Sequence, residues 1–322
     1  MRSIKLIEVK SELGAGTRGA SMGIDAMKIA SIDAESDYFA RFDAVSVKTD
    51  NSPLFNGFSS PSAKFINTIL SVEKRVCDAV AGTLEERMFP IILAGDHSTA
   101  TGSIAGVKMH FADKRLGIIW IDAHADMHTP YTTPSGNVHG MPLAMALATD
   151  NMENQVNQPP PEVIHVWNEI KKIGIEGPKF DPADIVFIAV RDTEQPEEAY
   201  MAAHDIKNFK TEDVRREGPA AIADKALEHL ADCDVIYISF DVDSLDSSIS
   251  LGTGTPVPNG LTVEEAKTIN EALVKDTRVC AWEIVEVNPT LDTENKMAEV
   301  AFEILEATTN SAIKAKSELV SH

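Results

Sequence analysis

The sequence predicts an α/β protein built on a mainly parallel sheet, and three observations carry that prediction. Several short apolar runs are continuous rather than alternating, as in strands covered on both faces. Between them, apolar residues recur at spacings of three and four, the period of an amphipathic helix. The two patterns alternate along the chain, which implies βαβ units.

The first run is IKLIEV at 4–9, read as a buried strand. It leads into GAGTRG at 14–19, which fits a dinucleotide-binding fingerprint. That reading needs a second strand ending in an acidic residue about 20 residues on. The segment there, ASIDAESDYFARF, is no clear strand, so a nicotinamide cofactor is rejected and the glycines are assigned to a turn. A helical pattern fills 67–87, and FPIILA at 89–94 is the next strand. LGIIWI at 116–121 follows, then a polar stretch at 149–162 ending in three prolines, read as a surface loop. DIVFIAV (184–190) and DVIYISF (234–240) are strands, with a helical pattern at 220–233 before the second. The helix at 262–276 opens with Thr262 and has Glu265 three residues later, a capping box. CAWEIVEV at 280–287 is the last strand.

Composition bounds the function. The 322 residues with 43% hydrophobic content suit a globular core, and no internal repeat divides them, so one domain over 1–322 is expected. A net charge of −21 argues against nucleic acid, whose phosphates need a basic surface, and agrees with a cationic substrate. Cys77, Cys233 and Cys280 are odd in number and far apart, forming neither a zinc pattern nor a disulfide framework, so a reducing cytoplasm is expected. No apolar run is long enough to span a bilayer, and the N-terminus lacks a signal-peptide core.

The chemistry gathers where strands end. LGIIWI runs into Asp122, His124 and Asp126; FPIILA runs into Gly95-Asp96-His97-Ser98; VIYISF runs into Asp241-Val242-Asp243. Ligands of open α/β sheets bind beyond the carboxyl ends of strands. If the chain stays extended, Asp122, His124 and Asp126 point the same way, because side chains alternate with period two. Any one of these motifs alone reads as a cap or a loop contact. Like charges on one face repel unless something positive lies between them, and three such strand ends in one chain point to metal. Four carboxylates and two imidazoles are too many for one ion that leaves room for substrate, so two bridged ions are expected. Mixed oxygen and imidazole ligation without thiolate suits Mn(II), with Co, Ni or Fe(II) as alternatives.

GDHS, DAHAD and SFDVDSLD resemble the three metal motifs of the ureohydrolases, and TTPSGNVHGMP (132–142), GTGTPV (252–257) and EVNP (286–289) resemble the arginases among them. The matching motifs run from about residue 14 to 290. The resemblance implies a three-layer α/β/α fold with an eight-stranded parallel sheet, two manganese ions, and hydrolysis of L-arginine to L-ornithine and urea. It implies that His97, Asp122, Asp126 and Asp241 hold and bridge the first metal, and that His124 and Asp243 complete the second. By the same resemblance Asp126 carries protons, His139 shuttles them, and Glu286 receives the guanidinium. Ser135 and Asn137 match contacts to the substrate α-carboxylate, Glu197 matches an acidic residue of the amino-group loop, and Thr255 lies nearby. Two positions depart from the pattern: His128 stands where arginases usually have Asn, and Glu194 where they have Asp. Both bear on the amino-acid end of the substrate and leave the metals alone. The family also implies a trimer or hexamer. Another guanidino substrate is the near alternative, agmatine among them, although S-G-N-x-H-G argues against agmatinase. A metal-binding homologue without catalysis is the distant one.

Overall fold

The structure, a computed structural model, describes residues 2–57 and 60–315. Eight strands form one sheet: β1 (Ile4–Val9), β2 (Ala44–Ser46), β3 (Phe89–Ala94), β4 (Leu116–Ile121), β5 (Ile185–Ile188), β6 (Lys207–Phe209), β7 (Val235–Asp241) and β8 (Val279–Val285). Their order is β2-β1-β3-β8-β7-β4-β5-β6, and every pairing is parallel. The six strands expected from apolar runs are all present, with ends shifted by at most two residues. The two edge strands, β2 and β6, were not among them. Each has three residues and a half-exposed face, too short a pattern to read.

Helices cover both faces. Helices α1 (Gly23–Asp33), α2 (Tyr38–Arg41) and α3 (Ile66–Glu85) precede β3; α4 (Ala100–His110) follows it; α5 (Pro142–Ala146) and α6 (Pro161–Ile170) lie between β4 and β5. Then come α7 (Gln195–Ala203), α8 (Thr211–Glu217), α9 (Pro219–His229), α10 (Val263–Leu273) and α11 (Lys296–Lys314). One core joins alternate strand residues such as Ile91, Leu93, Ile119 and Ile238 to Ile24, Ile222, Ile269 and Leu305 of α1, α9, α10 and α11. The other joins the intervening residues Ile92, Ile118 and Tyr237 to Val72, Ile104 and Leu143 of α3, α4 and α5. Strands β3, β4, β7 and β8 are buried throughout, which is why their sequences are continuously apolar. This is a three-layer α/β/α fold.

Local signals hold where they were read. The Thr262 hydroxyl accepts from Glu265 N at 3.2 Å, and the Glu265 carboxylate accepts from Thr262 N at 2.8 Å. The segment after the GAGTRG loop folds as α1 and α2, with no second strand there. The glycines serve close approach. A Cβ on Gly14 would sit 2.4 Å from an Asp96 carboxylate oxygen, and Gly19 holds a left-handed φ of 114°.

Candidate metal centre

The carboxyl ends of β3, β8, β7 and β4 lie side by side at the middle of the sheet, and each ends in a turn that carries chemistry. After β3, Asp96 caps a short 3₁₀ turn by accepting from Ser98 N at 2.9 Å, and His97 is its first residue. Asp241 is the last residue of β7. It accepts from Asp243 N at 2.7 Å, closing the next turn. After β8, Glu286 takes a left-handed φ of 67°, and its Oε1 accepts from His97 N at 2.9 Å.

The segment after β4 corrects one expectation. Asp122, His124 and Asp126 are not presented by an extended, period-two strand. Asp122 accepts from His124 N at 2.6 Å, folding the chain into a bend, and Asp126 has a left-handed φ of 50°. Aspartate is among the few side chains that enter this region readily. Turn chemistry, rather than pleat, brings these side chains together.

They do converge. His97 Nδ1 faces three carboxylate oxygens: Asp126 at 3.0 Å, Asp241 at 3.1 Å and Asp122 at 3.2 Å. His124 Nδ1 lies 3.0 Å from Asp243 and 3.5 Å from the other oxygen of Asp122. Asp122 therefore turns one oxygen to each group, as a bridging ligand does. Thr255 donates to Asp243 at 2.9 Å, and Ala123 N to its other oxygen at 3.1 Å.

The residues fit a pair of cations. His97 Nδ1 and Asp122 Oδ2 are buried polar atoms without a hydrogen-bond partner, although they face each other. Buried polar atoms are rarely left so unless something binds there. Three groups of acids and histidines lie close enough to hold an ion: His97 with Asp122 and Asp126, Asp122 with His124 and Asp243, and, apart from these strand ends, His128 with Glu194 and Glu197. Their electrostatics call for positive charge. Burial pushes Asp126 up to about 6, reinforced by Asp122 and opposed by His97 and His124. Burial raises Asp241 well above the carboxylate range, helped by Asp243 and Asp122. Burial opposes charge on His97 and His124, yet the surrounding carboxylates win and raise both rings. Carboxylates packed this closely call for positive charge among them, which bound metal ions would supply.

Around this centre stand the other expected residues. His139 Nδ1 lies 2.9 Å from Glu286 Oε1, and its side chain is 16% exposed, enough to meet solvent. Burial opposes its charge, but Glu286 and then Asp126 and Asp96 raise it above the ordinary imidazole value. His128 Nε2 contacts Glu194 at 2.8 Å and Glu197 at 3.5 Å, while its Nδ1 meets Thr132 Oγ1 at 3.2 Å. The His128 contact holds Glu194 down at about 2, and burial pushes Glu197 up to about 7. Both glutamates also cap α7, so that helix places them. The Ser135 hydroxyl accepts from Asn137 N at 3.2 Å in an exposed turn, and Asn137 Oδ1 accepts from Lys64 at 2.8 Å.

Four residues had not been read from the sequence. Asp96 accepts from Gly14 N at 3.1 Å and anchors the glycine loop to the His97 turn. Trp120 stacks on His97 with ring centres 4.2 Å apart and planes 3° apart. Ser239 and Glu283 lie behind His97. Their only sequence signal is polarity inside an apolar strand.

Comparison with known proteins agrees with the geometry. Residues 2–309 match the Arginase family. Arginase of Bacillus subtilis (strain 168) is 33% identical over 310 residues, covering 95% of this chain and 97% of its own. The native structure of Bacillus caldovelox arginase at pH 5.6 superposes with a TM-score of 0.80 at 31% identity, covering 98% and 99% of the two chains. Entamoeba histolytica arginase, in complex with L-ornithine, superposes with a TM-score of 0.81 at 27% identity, covering 96% and 99%. With sheet order, ligand cluster and full-length similarity in agreement, the chain belongs to the arginase family.

Proposed function

We propose that this protein, acting as one domain, hydrolyses the guanidinium of L-arginine to give L-ornithine and urea at a centre of two Mn(II) ions. The observation that carries the reading is the convergence of six ligand side chains, with Glu286 beside them and His139 behind it. His97, Asp122, Asp126 and Asp241 hold one ion, and Asp122, His124 and Asp243 the other. When bound, two such cations lower the pKa of water from 15.7 toward about 7 and so supply a nucleophile at neutral pH.

The chain's own residues do the rest. Glu286 Oε1 is held by His97 N and His139. That leaves Oε2 to accept from the guanidinium and turn its carbon toward the attacking water, an orientation effect. Asp126, among the ligands, is placed to take a proton from water and pass it to the departing ornithine nitrogen. His139 relays protons between this buried site and solvent. Ser135, Asn137 and His128 receive the α-carboxylate, and Glu194 and Glu197 the α-ammonium. Thr255 steadies Asp243.

One observation bears on substrate choice: His128 and Glu194 already satisfy each other at 2.8 Å, so a substrate that uses both must separate them. A zwitterion displaces that pair by offering each partner an opposite charge, whereas agmatine offers no carboxylate. A urea-release panel over arginine, agmatine and guanidino acids with Mn(II), Co(II), Ni(II) or Fe(II) tests substrate and metal together. No urea from any of them would overturn the hydrolase reading. The reading also carries a cytoplasmic setting and a homo-oligomer, a trimer or hexamer. Three buried free thiols agree with the setting.

A further inference from the structure

Behind the metal-facing side of His97 lies a second set of contacts. The ring is clamped flat against Trp120, which fixes where both nitrogens point. Nδ1 faces the three carboxylates, and Nε2 lies 2.8 Å from Ser239 Oγ. Ser239 in turn lies 3.5 Å from Glu283 Oε2, the residue beside it in the register of β7 and β8. Glu283 is fully buried at the centre of the sheet. Tyr237 also donates to Oε2, and Ser103 of α4 donates to Oε1 at 3.0 Å. A carboxylate placed there without a task is costly, since burying charge must be offset.

We propose that Glu283 is a positioning residue: through Ser239 it sets the tautomer of His97, leaving the Nδ1 lone pair open to a cation. The argument is one of hydrogen-bond direction. Ser239 has a single hydroxyl proton. If that proton goes to Glu283, Ser239 Oγ accepts from His97 Nε2–H, and Nδ1 is free to ligate. If it goes to His97 Nε2, the imidazole proton moves to Nδ1 and closes it to metal. Tyr237 and Ser239 both donate to Glu283 Oε2 and Ser103 donates to Oε1, so the hydroxyl protons run toward Glu283 on both oxygens. Burial raises Glu283, while the His97 charge and the three hydroxyls pull it back. A cation can then take the Nδ1 lone pair with no rearrangement behind the ring.

This inference rests on the metal-centre reading, and its test separates the two. Mn(II) binding is measured by equilibrium dialysis for wild type, Glu283→Gln, Glu283→Asp and Ser239→Ala. The Gln amide donates to Ser239 and reverses the relay. One ion, the one at His97, is expected to weaken by about 10–100-fold in Glu283→Gln while the other is unchanged. Glu283→Asp restores an acceptor and returns affinity most of the way. If Glu283→Gln does not fold, Ser239→Ala, which breaks the relay, is expected to show the same split between the ions. A purely structural Glu283 lowers the melting temperature without splitting the affinities, and that result overturns the inference. Wild-type affinity in both Glu283→Gln and Ser239→Ala overturns it too. If wild type binds no Mn(II), the metal reading itself fails.

Discussion

Removing the metal should destabilise the fold by an amount that counts the ions. A ligand that binds only the folded state at 100 times its Kd adds about 2.7 kcal/mol. Two ions add about twice that, roughly 5.4 kcal/mol. At about 2.1 cal/mol/K per residue, unfolding 322 residues carries an entropy of roughly 0.7 kcal/mol/K. The expected shift is therefore about 8 °C for two ions and about 4 °C for one. The assay compares melting curves after EDTA treatment with curves at 100-fold Mn(II) over each measured Kd, at one scan rate. The structure specifies the variants. His124 contacts only the Asp122 and Asp243 side of the cluster, so His124→Ala should halve the shift. Asp122 faces both histidines, so Asp122→Asn should remove nearly all of it. A shift near 4 °C in wild type, or a full shift in His124→Ala, would refute the two-ion centre.

Other outcomes follow from the same geometry. Asp126→Asn should cost about 10²–10⁴ in kcat, more than any other single change, because it combines ligation with proton transfer; near-normal turnover removes that role. His139→Asn should slow turnover with Mn(II) content intact, since His139 contacts Glu286 and none of the ligand atoms, and metal loss by elemental analysis would make it structural. Arginine should exceed agmatine in kcat/KM by more than tenfold, about 1.4 kcal/mol, because a site built for a carboxylate leaves polar groups unpaired without one; the reverse order in the urea assay would leave only a wider ureohydrolase assignment. Burial raises Glu73 well above its usual 4.5, despite the bond from Gly102 N. A carboxyl so raised stabilises fully below its unfolded pKa, and that contribution fades as pH rises toward the folded value. Glu73→Gln should therefore gain stability over wild type from pH 5 to 8 in urea titrations, by up to about 1.4 kcal/mol per pH unit. A pH-independent difference would show Glu73 to be ionised throughout.

The central strands were legible because burial on both faces forces continuous apolar sequence. The edges were not, since AVS and KNF bury too little to leave a pattern. Helix α11 hides for another reason. Its buried face includes Ala298, Ala301, Thr308, Thr309 and Ala312, whose small or polar side chains dilute the period of Met297, Ile304 and Leu305. At the site, the six candidate ligands stood out as acids and histidines directly after apolar runs. How they converge did not. The left-handed turns at Glu286 and Asp126 rest on contacts from distant elements, Glu286 N to Gly95 O at 2.8 Å beside β3 and Leu143 N of α5 to Asp126 O at 3.1 Å. The pairing of His128 with Glu194, 66 residues apart, likewise needs the fold.

What sequence shows is which residues break the apolar pattern; what structure shows is what offsets each break. Two buried glutamates make the difference plain. Glu73 and Glu283 are equally hidden, and both interrupt an apolar face. Glu283 receives hydroxyl donors on both oxygens and reaches a histidine through one of them. Glu73 receives one backbone N–H, and its Oε1 has no hydrogen-bond partner. Burial raises both acids, but three hydroxyl donors hold Glu283 back, while Glu73 rises well above the carboxylate range. Nothing in the neighbouring sequence separates them, because the groups that decide lie on other elements, Ser103, Tyr237 and Ser239 for one and Gly102 for the other. Charge state, and with it function, is here a property of the assembled sheet.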